Sequence, residues 1–390
     1  MRILFLSDLM NSGGASTACN RIADVVKIQN HEVIRVATDA KTSPENNEFT
    51  LFIGQKLLLF EKLLKKLTGK HHAGLRKKEW STQFIRLIRS IKPELVSVHN
   101  LHSNSLPIDL VQVALSYAPV TWTLHDCHSF SGSYCPTHTP LPKQSFLNEI
   151  QVLANSLNNR ESSHSLSAIA PSNWIKSQAR NSFWKDYSVK KIHNPIPDSY
   201  FENRDRTGCK RALGLEDGKP VILCISADLK AKHKGDWILE EIIDSISPDE
   251  AQLLLVGNGC FTSTDSKKVK SLGFVKDELT LQIAYNAADL LVHPAPIDNL
   301  PNTVAEAMSC GTPVLAFETG GLPEMIDPEK SGWLVERIDQ KAFIKQLMSV
   351  LSTKDYSKLR NSTKEHARKL FDSKLIGNQY LESFNDVLLK

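Results

Sequence analysis

What most constrains this chain is a change of hydrophobic period that recurs along its length. Short β-branched apolar runs alternate with stretches of helical spacing, and the whole pattern runs through twice. RILFLSD (2–8), EVIRVATDA (32–40), ELVSVH (94–99), PVTWTLHD (119–126) and LSAIAPS (166–172) each read as a strand ending in polar residues. PVILCIS (220–226), AQLLLVGNG (251–259), ADLLVHP (288–294) and PVLAFE (313–318) repeat the pattern. Strands that alternate with helices predict α/β units, each a parallel sheet covered on both faces. Ligands of such sheets sit beyond the carboxyl ends of the strands. The tails Ser7-Asp8, His99-Asn100, His125-Asp126 and Pro171-Ser172 are therefore the first places to look for chemistry. Between the two series, Pro195 and Pro197 in KKIHNPIPDSYFENRDR mark a linker. A chain of 390 residues suits two such cores. The expected fold is two Rossmann-like doubly wound domains, 1–196 and 197–372, facing a central cleft, with a helix over 373–390 that crosses back to the first.

Composition removes several classes. No apolar run reaches the roughly 18 residues that a membrane span needs. MRILFLSDLM reads as a first strand rather than a signal peptide. Seven scattered cysteines suit a reducing compartment, so a cytoplasmic location is expected. The net charge of +4 is uneven: residues 1–195 hold 23 Lys/Arg against 14 Asp/Glu, and the rest hold 24 against 29. Much of the excess lies in residues 53–80, IGQKLLLFEKLLKKLTGKHHAGLRKKEW, where leucines at helical spacing alternate with lysines. A basic amphipathic helix near 56–78 suits an anionic membrane surface, the plainer alternative being a solvated helix whose leucines face the core. Without interleaved aromatics the charge is no nucleic-acid signal.

DNLPNTVAEAMSCGTPV, residues 298–314, sets two acids around a Pro-Asn-Thr turn. Asn302 or Thr303 is a good N-cap, and Thr303-x-x-Glu306 matches a capping box, which accounts for Glu306 without any function. It leaves Asp298 unexplained, together with the turn Asn299-Leu300-Pro301-Asn302. A helix start with open backbone amides is an anion cradle.

This stretch resembles the Glu-x7-Glu region of family 4 glycosyltransferases, retaining enzymes of the GT-B fold, with Asp298 in place of the first glutamate. The similarity continues in order along the chain: NSGGAS, VHNLHS, TLHD, APSNWI, IHNPIPDSYF, KAKHKGDWIL, LLLVGNG and GWLV. The resemblance implies a donor site for a UDP- or GDP-sugar in the second domain. Glu306 would hold the ribose hydroxyls and Asp298 would sit near the sugar ring. Backbone amides around Asn299, Leu300, Asn302 and Thr303 would bind the diphosphate, and Lys234 would be the phosphate lysine. The family's arginine position is Leu229 here, which leaves Lys230 or Lys232 as its substitute. His125 would face the donor across the cleft, Gly13 and Gly14 would let the first loop approach the diphosphate, and His99, Asn100 and His102 are acceptor-side candidates. The acceptor implied is a glycan or a polyprenyl-diphosphate-linked sugar, as in bacterial surface-polysaccharide assembly.

No cofactor or metal is expected. Asp-x-Asp is absent from the sequence, and the spacing of His125, Cys127, His128, Cys135 and His138 is not that of a zinc site. The alternatives are a catalytically inert donor-binding subunit and a sugar-nucleotide epimerase or hydrolase of the same fold. A nicotinamide dehydrogenase is disfavoured, since no G-x-G-x-x-G follows a strand.

Overall fold

In the computed structural model of the chain, the structure describes every residue except 40–42, 44–45, 53–54, 69–72, 102–105, 133–143, 159–163, 260–267, 329, 337, 354 and 390. Two parallel sheets organise it. The first holds β1 (Arg2–Leu6), β2 (Glu32–Ala37), β3 (Glu48–Thr50), β4 (Leu95–Val98), β5 (Val120–Thr123), β6 (Leu166–Ala170) and β7 (Ser188–Lys191), in the order β3-β2-β1-β4-β5-β6-β7. The second holds β8 (Val221–Asp228), β9 (Gln252–Asn258), β10 (Val269–Ser271), β11 (Leu290–His293), β12 (Val314–Phe317) and β13 (Gly332–Val335), in the order β10-β9-β8-β11-β12-β13. Counted within its own domain, the first sheet runs 3-2-1-4-5-6-7 and the second 3-2-1-4-5-6, the doubly wound order. The connections reverse direction between β1 and β4 and between β8 and β11, and that reversal opens a crevice at the carboxyl ends.

The central strands are apolar on both faces because helices cover both. Leu4, Leu6, Val96, Val98, Val120 and Trp122 pack with Trp80, Phe84 and Trp184 on one side of the first sheet. Ile3, Phe5 and Leu95 pack with Ile22 and Val26 of α1 (Gly14–Ile28) on the other. The sequence pattern located these buried strands but not β3, β7, β10 and β13. All four are only three or four residues long, and three are polar enough to read as loop.

The chain passes between the domains twice. At the two crossings Ile196 and Asp372 form a bridge, with the Ile196 amide bonded to the Phe371 carbonyl at 2.9 Å. The terminal helix Ser373–Leu388 then lies on the first domain, where Ile376, Tyr380, Phe384 and Val387 join the Ile3–Phe5 core.

The basic segment is two helices rather than one: α2 (Gln55–Thr68) and α3 (Ala73–Ile91). α3 contributes Trp80, Phe84 and Ile88 to the core. α2 does not turn its apolar stripe inward: Leu59, Phe60, Leu63 and Leu67 are all at least half exposed, among the exposed Lys56, Lys62, Lys65 and Lys66. Leu57, Leu58 and Leu64 are half-buried, so this helix turns only part of its leucines toward the protein. Among the described residues no helix is long and apolar enough to cross a membrane.

Candidate active site

The helix Asn302–Ser309 begins two residues earlier than a Thr303 cap requires, and its N-cap is Pro301, which has no side-chain oxygen to offer. The capping box does not form. Glu306 turns away instead: Arg21 Nη1 donates to its Oε1 at 2.8 Å, and the Tyr285 hydroxyl donates to its Oε2 at 2.7 Å. Both carboxylate oxygens are thus engaged, one by a residue of the other domain. No side chain caps the start of this helix, so the amides of its first turn are left uncapped.

Facing them is the start of α1. Its N-cap, Gly13, stands at φ +90°, a left-handed backbone that a side chain would strain. The Asn302 side-chain amide donates to the Gly14 carbonyl at 2.8 Å, so two helix N-termini, one from each domain, meet at a single point. Each carries a partial positive charge from its peptide dipoles.

A lysine–carboxylate pair adjoins this point. Lys234 lies on a short turn after β8 and Asp298 lies five residues past the end of β11, so both belong to the crevice at the reversal of strand order. Lys234 Nζ is 2.7 Å from Asp298 Oδ2. Burial alone would raise the Asp298 pKa, but Lys234 and His293 together outweigh it and hold the carboxyl well below the usual carboxylate range. His293 Nε2 stands 3.6 Å from the same oxygen, and the Asn299 amide donates to Asp298 Oδ1 at 2.9 Å. The loop depends on Gly320 and Gly321: a Cβ would come within 2.0 Å of the Asp298 carbonyl oxygen at the first and 1.8 Å of the Asn299 carbonyl oxygen at the second.

Asn299 fixes this loop to the first domain. Its side-chain amide donates to the carbonyls of His125 at 2.8 Å and Leu124 at 3.3 Å, and its Oδ1 accepts from Ser172 Oγ at 2.5 Å. His125 is thereby brought beside the Asp298 turn at the end of β5. Glu324 adds a second clasp, its carboxylate accepting from the Asn173 and Trp174 amides at the start of a first-domain helix.

The remaining candidates divide. Leu300 is buried among the apolar residues under the turn. Lys230 pairs with Glu240 at 2.8 Å, and Lys232 is exposed on the same short turn as Lys234; Leu229 is buried in the core. Asn100 lies at the end of β4, its carbonyl accepting from the Asp8 amide at 2.6 Å. His99 is 1% exposed, stacked on Phe5 and hydrogen-bonded edge to edge with His125. His102 lies outside the described residues, as do Cys135 and His138, while Cys127 is buried in the first-domain core. Three residues of this network went unnoticed in the sequence, Arg21, Tyr285 and Glu324, while Ser172 stood in one of the strand tails singled out there. A buried arginine in a helix is itself an unusual sign, but its acid partner is 285 positions away.

Residues 219–353 match the family model described as glycosyl transferases group 1. The second domain is a group 1 glycosyl transferase domain. N-acetyl-alpha-D-glucosaminyl L-malate synthase of Bacillus anthracis is 27% identical over 207 residues, 51% of this chain; the match spans about half of that relative, 54% of its length. Sucrose-phosphate synthase of Thermosynechococcus elongatus superposes over 100% of both chains with a TM-score of 0.78 at 17% identity. HepE of Anabaena, solved with UDP-glucose, covers 99% of this chain and 100% of its own with a TM-score of 0.70 at 20% identity. Likeness at this level establishes the fold, which is GT-B.

Proposed function

We propose that the protein is a retaining, metal-independent glycosyltransferase that moves a sugar from a nucleotide-diphosphate donor to a glycan or lipid-linked acceptor in surface-polysaccharide assembly. The observation that carries this reading is the meeting of two helix N-termini beside Lys234 and Asp298. A diphosphate placed there faces two sets of backbone amides and a lysine, so charge that develops on the leaving group is met by preorganised positive groups. In this reading Lys234 and the amides take the part that a divalent cation plays elsewhere. Asp298, held ionised by Lys234, accepts from hydroxyls of the transferred sugar. Support for a nucleotide-sugar donor comes from the group 1 domain and from HepE, whose structure holds UDP-glucose.

The acceptor side rests on α2. An exposed stripe of Leu59, Phe60, Leu63 and Leu67 set among lysines suits the headgroup layer of an anionic membrane, where a lipid-linked acceptor is presented and where the protein would sit peripherally on the cytoplasmic face. Sedimentation with phosphatidylglycerol vesicles tests this: wild type pellets at low salt and Leu59→Asn/Leu63→Asn does not. Equal behaviour of the two removes the membrane from the reading.

The reaction itself is tested by incubating UDP- and GDP-sugars with EDTA, with and without glycan or polyprenyl-diphosphate-linked acceptors. Nucleotide release that requires an acceptor supports transfer. Release without one favours the hydrolase, and no release with any donor favours the inert donor-binding subunit.

A further inference from the structure

His99 belongs to a buried chain of hydrogen bonds that ends on His125. Ser97, on β4, is fully buried, and its hydroxyl lies 3.1 Å from His99 Nε2. His99 Nδ1 lies 2.9 Å from His125 Nε2. Burial, with His125 alongside, holds the His99 pKa well below its ordinary value, so the ring is neutral and carries one proton. The place of that proton follows from Ser97. Were the serine to accept from an Nε2–H, its own proton would be a buried donor facing nothing; donating to Nε2 leaves only lone pairs unused, which is the smaller cost. Nε2 is then the acceptor and Nδ1 bears the proton of His99. That N–H points at His125 Nε2, which must offer a lone pair, so the proton of a neutral His125 lies on Nδ1. Phe5 stacks on His99 with centroids 5.5 Å apart, while the His125 ring meets His99 edge to edge through the hydrogen bond, its plane within 24° of the His99 plane.

We propose that Ser97 and His99 are positioning residues that hold His125 as its Nδ1–H tautomer, so that His125 meets the sugar nucleotide as a hydrogen-bond donor and not as a base. The inference rests on the proposed function and on His125 facing the donor, as the resemblance to family 4 glycosyltransferases implies. It assigns His125 no proton transfer: an N–H opposite an oxygen that gains charge stabilises it where it stands.

The test uses the full chain labelled with 15N-histidine, with the His125 signals assigned by their loss in His125→Asn. The expected spectrum shows His125 with an unprotonated Nε2 and a protonated Nδ1. His99→Phe keeps the stack and removes the donor, so the two His125 tautomers mix; His99→Asn, whose amide lies near the place of Nδ1, restores the wild-type pattern. Where donors turn over, His99→Phe lowers kcat about ten- to hundredfold, with the donor KM within about twofold of wild type, and His99→Asn recovers most of the loss. Should His99→Phe fail to fold, Ser97→Ala carries the same test with a smaller change. A proton on His125 Nε2 in wild type, or a tautomer indifferent to both substitutions, overturns the inference. A wild-type protein that turns over no sugar nucleotide overturns the functional reading instead, and the spectrum still decides the tautomer.

Discussion

Replacing Arg21 with methionine removes the cation from the pair that joins the two domains. The Arg21 and Glu306 side chains are only 7% and 6% exposed. Burial would lower the Arg21 pKa, but Glu306, Tyr200 and Glu278 together more than offset it, and the guanidinium is held charged. Without Arg21, Glu306 is left in the interior with the Tyr285 hydroxyl as its remaining partner, and breaking a buried pair in this way costs about 3–5 kcal/mol. The second carboxylate on Arg21, Glu278, is half exposed and adds less than about 1 kcal/mol. In Arg21→Met/Glu306→Leu no charge remains buried, and most of the loss is recovered. Urea denaturation followed by tryptophan fluorescence measures the cycle, since Trp122 and Trp184 report the first domain and Trp237 and Trp333 the second. Two domains need not unfold in one step, so small-angle scattering of each variant under native conditions reports separation of the domains directly. A single Arg21→Met variant within about 1 kcal/mol of wild type would refute the reasoning, and so would a double variant as unstable as the sum of the singles. The same pair makes Glu306→Ala a poor probe of nucleotide binding, because it strands a buried arginine.

Two further consequences follow from the geometry. His193 is buried, with its Nδ1 on the Pro171 carbonyl and its Nε2 toward Lys191, and burial with the nearby lysine pushes its pKa down to about 4. The unfolded chain takes up that proton near pH 6.5 and the folded one only near 4, so stability falls as pH drops from about 6.5 to 4, by about 3 kcal/mol from this group. Thermal melts across that window should lose part of their slope in His193→Gln; an unchanged slope contradicts the assignment. Gly321→Ala drives a Cβ to 1.8 Å from the Asn299 carbonyl oxygen and 3.0 Å from the Ser172 Cβ, which displaces the Asp298–Asn299 turn. Nucleotide affinity should fall at least tenfold by calorimetry while circular dichroism stays close to wild type, and full affinity would show that the turn does not form the site.

What the sequence carried, it carried locally. The buried strands were legible because both faces are covered and their apolar runs are continuous, while edge strands such as Ser188–Lys191 are short and polar and leave no such trace. Asp298, Asn299 and Asn302 were legible because the motif packs them into one turn, and Lys234 because it stands in a motif of its own. Long-range partnerships were not: Arg21 meets Glu306 across 285 positions, and Ser172 meets Asn299 across 127. The capping box misled for the same reason, since local spacing could not show that Arg21 and Tyr285 occupy the Glu306 carboxylate. The burial of His99 was not legible either, since a polar residue at a strand end suggests solvent, whereas Phe5 packs on its ring and His125 closes its edge in the interior.

The donor site is tested most directly by calorimetric titration of UDP and GDP, with EDTA present, into wild type and Lys234→Ala. This variant leaves the Arg21–Glu306 clasp intact. The expected result is saturable binding of one of the two nucleotides by wild type and at least tenfold weaker binding by the variant, since a charge-assisted contact is worth about 1.5–3 kcal/mol. Absence of binding by either nucleotide, or equal affinity in both proteins, would contradict a diphosphate site at the meeting of the two helices.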